Sequence, residues 1–143
     1  LAREAFSISR GDGQELFDTR ITCAVRCVPP DNKPSTKEVA NCSHWLVREM
    51  ELLAPTVRSF LALGNIAWKA TITTLRFLDE ELPRKLPKFG HGASFNFPAS
   101  DGNTKLVIGS YHPSQQNTFT GKLTEPMFDR VFALAREHLA SLG

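Results

Sequence analysis

Seven residues, Lys105-Leu106-Val107-Ile108-Gly109-Ser110-Tyr111, do most to limit what this chain can fold into. Apolar side chains fall on both alternate sets of positions, and the run stops at His112-Pro113. A strand without a polar face must be covered on both sides, as in a parallel sheet packed between helices. Val57 to Leu63 reads the same way and ends at Gly64-Asn65. Asp18 to Val28 begins Asp18-Thr19-Arg20 and continues β-rich and mostly apolar, which predicts another buried strand. A short strand is expected near Ser94 to Phe97, inside the loop-rich stretch Asp79 to Asn103 that also holds Phe89-Gly90-His91-Gly92.

Helical periods separate these runs. Ser35 followed by Glu38 is a capping box, and Val39, Cys42, Leu46, Met50 and Leu53 share one helical face before Pro55. Asn65 is the expected N-cap of a helix from Ile66 to Leu78. Thr124-Glu125-Pro126 opens the last helix, whose apolar face is Phe128, Val131, Phe132, Ala135, Leu139 and Leu142. Strands alternating with helices imply right-handed crossovers. The fold class is therefore α/β, a three-layer α/β/α sandwich around a small parallel sheet.

Sheets of this kind bind ligands beyond the carboxyl ends of their strands. Those ends are Cys27 to Lys33, Gly64-Asn65 and His112 to Asn117. His112 ends a buried strand and leads into a polar, nearly uncharged loop, Ser114, Gln115, Gln116, Asn117, Thr118 and Thr120. Hydroxyls and amides in such a loop suit phosphate oxygens and base edges. Phe119, in the same loop, either wedges into a base stack or packs beneath the loop. Asn32, in the rigid loop Pro29 to Pro34, offers an acceptor and a donor that suit a nucleobase edge. Gly64 lets backbone approach a phosphate at a helix start, and a lone glycine is equally a packing solution.

The chain has 143 residues, enough for one domain, and a net charge of +2, which by itself names no partner. No apolar run approaches the roughly 20 residues of a membrane span, and Leu1 to Phe6 is too short and too charged for a signal peptide. The expected location is the cytoplasm. Leu1 to Phe6 also reads like the last turns of a helix that starts elsewhere. Three cysteines are an odd count. Cys27 and Cys42 could share a site, although from the residues alone two buried apolar thiols is the better reading. A zinc site of Cys23, Cys27, Cys42 and His44 is disfavoured, because Cys23 and Cys27 would stand about 13 Å apart along a strand.

Taken together, three stretches resemble the uracil-DNA glycosylases of family five, the iron–sulfur, broad-specificity prokaryotic type. They are VRCVPPDNKPSTKEVANC (residues 25–42), LALGNIAWKA (61–70) and HPSQQNTFTGKLT (112–124), in matching order and spacing across nearly the whole chain. The resemblance implies a DNA-repair enzyme that hydrolyses the N-glycosidic bond of uracil, and of other deaminated bases, in DNA. It makes His112 the catalytic residue, and beside it the strand-end reading takes Asn32 and Gly64 as substrate-binding and Ser114, Gln115, Gln116 and Asn117 as DNA-binding. It makes Cys27 and Cys42 two of the four ligands of a structural [4Fe–4S] cluster. The family's other two ligands, its catalytic aspartate and its base-stacking aromatic belong to an amino-terminal part that these residues do not match. The expectation is one glycosylase-like domain over residues 1–143 with its front part missing, monomeric and inactive by itself. One departure is Cys23, where the related family four carries an asparagine. A non-catalytic DNA-binding module is the alternative. A nucleotide-binding domain of another class is disfavoured, since no glycine-rich phosphate loop follows a strand.

Overall fold

The computed structural model describes residues 2–4, 6–26, 29 and 33–143. Helix α1 (Thr36–Leu53) starts at the expected capping box. The Ser35 hydroxyl accepts from the Glu38 N–H, and the Glu38 carboxylate accepts from the Ser35 N–H. Leu46 and Met50 are the buried residues of its apolar face. Strand β1 (Ser59–Leu63) passes directly into helix α2 (Gly64–Phe77). Asn65 is not the cap. The helix starts at Gly64, two residues before the expected Ile66, with no side-chain cap, because Gly64 at φ +90° turns strand into helix without a loop.

Strands β2 (Ser94–Pro98) and β3 (Thr104–Ser110) complete a sheet of order β1-β3-β2 among the described residues. β1 and β3 are parallel, with Leu61 opposite Ile108 and Leu63 opposite Ser110. β2 runs antiparallel to β3, so the sheet holds one antiparallel edge beside the expected parallel pairing. The cause is the connection. Residues 99–103 form a tight turn closed by the Ala99 N–H on the Asn103 carbonyl, and a parallel pairing needs a crossover of a dozen residues or more. A short helix α3 (Gln115–Phe119) and a long one, α4 (Glu125–Ser141), follow.

β3 is central, and that explains its continuous apolar character. Val107 faces a core of Leu46, Met50, Trp68, Leu75 and Phe97 from α1, α2 and β2. Leu106 and Ile108 face Val131, Leu134 and Ala135 of α4. Val107 and Ile108 are fully buried, and each such side chain contributes about 1.5–3 kcal/mol. Helices on both faces of a small sheet make the α/β/α arrangement.

Two expectations fail at the start of the chain. The described residues of Asp18–Val28 form no strand; Ile21 is exposed and Asp18 has φ +51°. Their alternation serves another partner. Arg20, Thr22 and Arg26 all reach the Glu49 carboxylate on α1, at 2.7, 2.6 and 2.6 Å. Nor are residues 2–4 and 6 helical; Ala2 bridges Leu16 instead. No helix of the described residues is long and apolar enough to cross a membrane.

Candidate active site

The parallel pairing of β1 with β3 brings two predicted residues together. Gly64 follows the last residue of β1, and His112 lies two residues past β3. A Cβ placed on Gly64 would stand 3.3 Å from the His112 Cβ and 3.9 Å from its Cδ2. The absent side chain leaves the imidazole its place beside the strand end. His112 is exposed, with its ring open to a ligand.

The residues after it are not an open loop. Ser114 is the N-cap of α3, its hydroxyl accepting from the Asn117 N–H at 3.3 Å. Gln115 and Gln116 are exposed on that turn. Asn117 is half-buried and turned inward, its side-chain amide donating to the His112 carbonyl at 2.8 Å. The Ser114 N–H donates to the same carbonyl at 2.8 Å, and the Asn117 carbonyl accepts from the Leu123 N–H at 2.9 Å. Leu123 is buried, so the segment is pinned at its far side too. Phe119 is 84 % exposed, which removes the option that it packs beneath the loop.

Three neighbours of the site were not singled out from sequence. His91 lies half-buried between the exit of β3 and the first turn of α4. Its Nδ1 accepts from the Tyr111 N–H at 3.3 Å and lies 3.4 Å from the Ser110 hydroxyl. Its Nε2 is 3.1 Å from the Met127 carbonyl. An amide N–H can only donate and a carbonyl only accept, which assigns the ring proton to Nε2. Tyr111 packs on His91 and Phe89, and the Lys122 ammonium sits 5.0 Å above its ring. That contact holds a cation beside the site. The one signal in the sequence was a histidine set between Gly90 and Gly92, where backbone comes close. A Cβ on Gly109 would meet the Gly90 carbonyl at 2.9 Å.

Of the predicted metal ligands, Cys42 is half-buried on α1, while Cys27 lies outside the described residues, as does Asn32. Cys23 is exposed. Among the described residues no group of three or more His, Cys, Asp or Glu is placed to hold a metal ion. A single thiol does not meet the four-ligand need of an iron–sulfur cluster, so the described residues alone do not make that site.

The arrangement is a strand-end imidazole beside a gap, a rigid polar turn and a projecting aromatic. The sequence profile of the Uracil DNA glycosylase superfamily matches residues 1–136. The chain is similar to the type-5 uracil-DNA glycosylase of Mycobacterium tuberculosis, 39% identical over 137 residues, 96% of this chain and 48% of that protein. It is also similar to the type-5 enzyme of Thermus thermophilus, 39% identical over 126 residues, 88% of this chain and 53% of the relative. The type-4 uracil-DNA glycosylase of Pyrobaculum aerophilum is 33% identical over 105 residues, 71% of this chain and 48% of its own length. The chain spans about half the length of these relatives. A match of that extent places the chain in the uracil-DNA glycosylase superfamily, in the branch whose named relatives are type-5 enzymes.

Proposed function

We propose that this chain supplies the leaving-group and DNA-gripping half of a uracil-DNA glycosylase, a repair enzyme that hydrolyses the N-glycosidic bond of uracil, and of other deaminated bases, in DNA. The observation that carries this reading is His112, exposed at the exit of β3 with Gly64 clearing space beside its ring. The names of the relatives support it.

Chemistry on a base inside a duplex requires the base to leave the stack, at a cost of a few kcal/mol. Phe119, projecting from α3, fills the gap the base leaves. Ser114, Gln115, Gln116 and Asn117 hold the backbone around it, and Gly64 lets the main chain approach. One N–H of the Asn117 side-chain amide is engaged by the His112 carbonyl, which leaves its second N–H and its side-chain oxygen for DNA. As the glycosidic bond breaks, the sugar gains oxocarbenium character and the base leaves with negative charge. His112 donates a hydrogen bond to a base carbonyl and stabilises that charge as it grows. One such donor is worth on the order of 10²–10³ in rate. Asn32 completes recognition of the base edge.

Cys27 and Cys42 are two ligands of a structural [4Fe–4S] cluster in the whole protein, the other two coming from sequence outside these 143 residues. The same outside sequence brings the acid that positions the attacking water. Residues 1–143 are one part of a single glycosylase domain that acts as a monomer in the cytoplasm. The test is single-turnover release of uracil from an oligonucleotide by the full-length protein. His112→Ala should slow release by roughly 10²–10³ with little change in DNA affinity. An unchanged rate refutes the role given to His112. Salt-dependent DNA binding without any abasic product in the unaltered protein refutes the enzyme reading.

A further inference from the structure

We propose that His91 is a positioning residue for His112, acting through the bond its Nδ1 accepts at the exit of β3, while its Nε2 ties the ring to the start of α4. The rate part of its test rests on the glycosylase reading; the structural part rests on geometry alone.

β3 runs out of ladder partners just where the site begins. Its pairing with β1 ends at Ser110. On the other side the last bonds are the Gly109 N–H to the Ala93 carbonyl at 2.7 Å and the Gly92 N–H to the Gly109 carbonyl at 2.8 Å. The next donor, the Tyr111 N–H, has no strand to meet, and a backbone donor withdrawn from water needs a partner. The His91 Nδ1 is that partner, one residue before His112. The opposite nitrogen of the same ring bonds Met127, in the first turn of α4. The chain therefore leaves at Tyr111, forms the His112 turn, α3 and the Lys122 loop, and returns at Met127, both times to His91.

The ring is itself fixed. Its loop is joined to Gly109 through Gly92 and packed against it through Gly90. One face lies on Tyr111 with centroids 5.3 Å apart. Both ring nitrogens of His91 are engaged by the backbone of the segment. His91 acts by setting the direction in which the backbone delivers His112. A histidine that merely satisfies its own polar atoms would have the same bonds but no preferred nitrogen, and that difference is measurable.

Two substitutions separate the nitrogens. Asparagine places its amide oxygen near the Nδ1 position and keeps the acceptor for Tyr111. Glutamine places its amide nitrogen near the Nε2 position and keeps the donor for Met127. Both are made in the full-length protein and read by hydrogen exchange at the Tyr111 amide, DNA affinity and single-turnover release of uracil. H91N should keep Tyr111 protected and release uracil within about threefold of the unaltered protein. H91Q should exchange Tyr111 at least about tenfold faster and lose about tenfold or more in rate, with Kd within about threefold. Equal behaviour of the two variants in exchange overturns the proposal, as does a rate loss in H91Q with Tyr111 still protected. Failure of both to fold also overturns it, since His91 is then a core residue only. If the unaltered protein releases no uracil, the glycosylase reading fails separately, and the exchange contrast still decides whether His91 holds the strand exit.

Discussion

Gly64→Ala isolates the gap that the site depends on. Gly64 has φ +90°, in the region that costs an L-residue roughly 1–2 kcal/mol. The new Cβ would also stand 3.3 Å from the His112 Cβ, inside the roughly 3.5–4.0 Å of an optimal carbon–carbon contact. His112 is exposed, so it yields by a few tenths of an ångström instead of storing the clash. Gly102 is the control. It has φ +81° with nothing within 4 Å of a built Cβ, so its alanine variant carries the backbone strain without the contact. Both variants should lose about 1–2 kcal/mol in urea unfolding of the full-length protein. Only Gly64→Ala should slow uracil release. A misplacement of about 1 Å costs up to about 10²-fold, so a few tenths correspond to roughly three- to tenfold. An unchanged rate in a folded Gly64→Ala protein, or the same rate loss in Gly102→Ala, refutes the reasoning.

Other consequences follow from single side chains. Phe119→Ala should leave unfolding within about 0.5 kcal/mol, since the ring is exposed, yet slow release from duplex DNA about tenfold or more while sparing single strands; equal loss on both substrates refutes the wedge. Lys105, buried at the opposite end of β3, donates to the Ala54 carbonyl at 2.8 Å and pairs with Asp101 at 3.2 Å. Lys105→Ala should cost about 2–4 kcal/mol in chemical denaturation without changing release by the folded protein, and a loss below about 1 kcal/mol refutes this. Glu49 is held below the ordinary carboxylate range, first by the Thr22 hydroxyl, then by the Arg20 hydrogen bond, with the charges of Arg20 and Arg26 adding. Its folded pKa is depressed, so its contribution is full above the unfolded value and is lost as pH falls through the folded one. Arg26 lies over Trp45 at 5.7 Å, so Trp45 fluorescence in a Trp68→Phe background should report release of residues 20–26 as pH falls below the ordinary carboxylate range; a transition also present in Glu49→Gln contradicts that assignment.

What could be read from sequence was what is local. Ser35 and Glu38 cap α1 through atoms three residues apart, and β1 and β3 are apolar because the burial of each is two-sided. The direction of β2 is not in its own residues. It follows from the length of 99–103, and Asp101-Gly102 was a readable turn signal there. Residues 18–26 misled because their partner is one distant carboxylate; an Arg-x-Thr pattern does not tell a ladder from an ion pair. For the site, His112 and Gly64 were legible as strand ends, whereas His91 acts through contacts 20 and 36 residues away.

The hydrogen bonds inside the His112–Leu123 turn bear on the thermodynamics of recognition. Ser114, Asn117 and Leu123 bind that stretch to itself before any ligand arrives. A disordered loop would surrender roughly 1–2 kcal/mol of backbone freedom per residue on engaging its target. Here that loss is incurred during folding, so little remains to be ordered at encounter beyond the side chains of Gln115, Gln116 and Phe119. Under the proposed glycosylase function, association of this surface with DNA should therefore show a small entropic penalty, with discrimination between bases set by rigid geometry and by the cost of unstacking DNA.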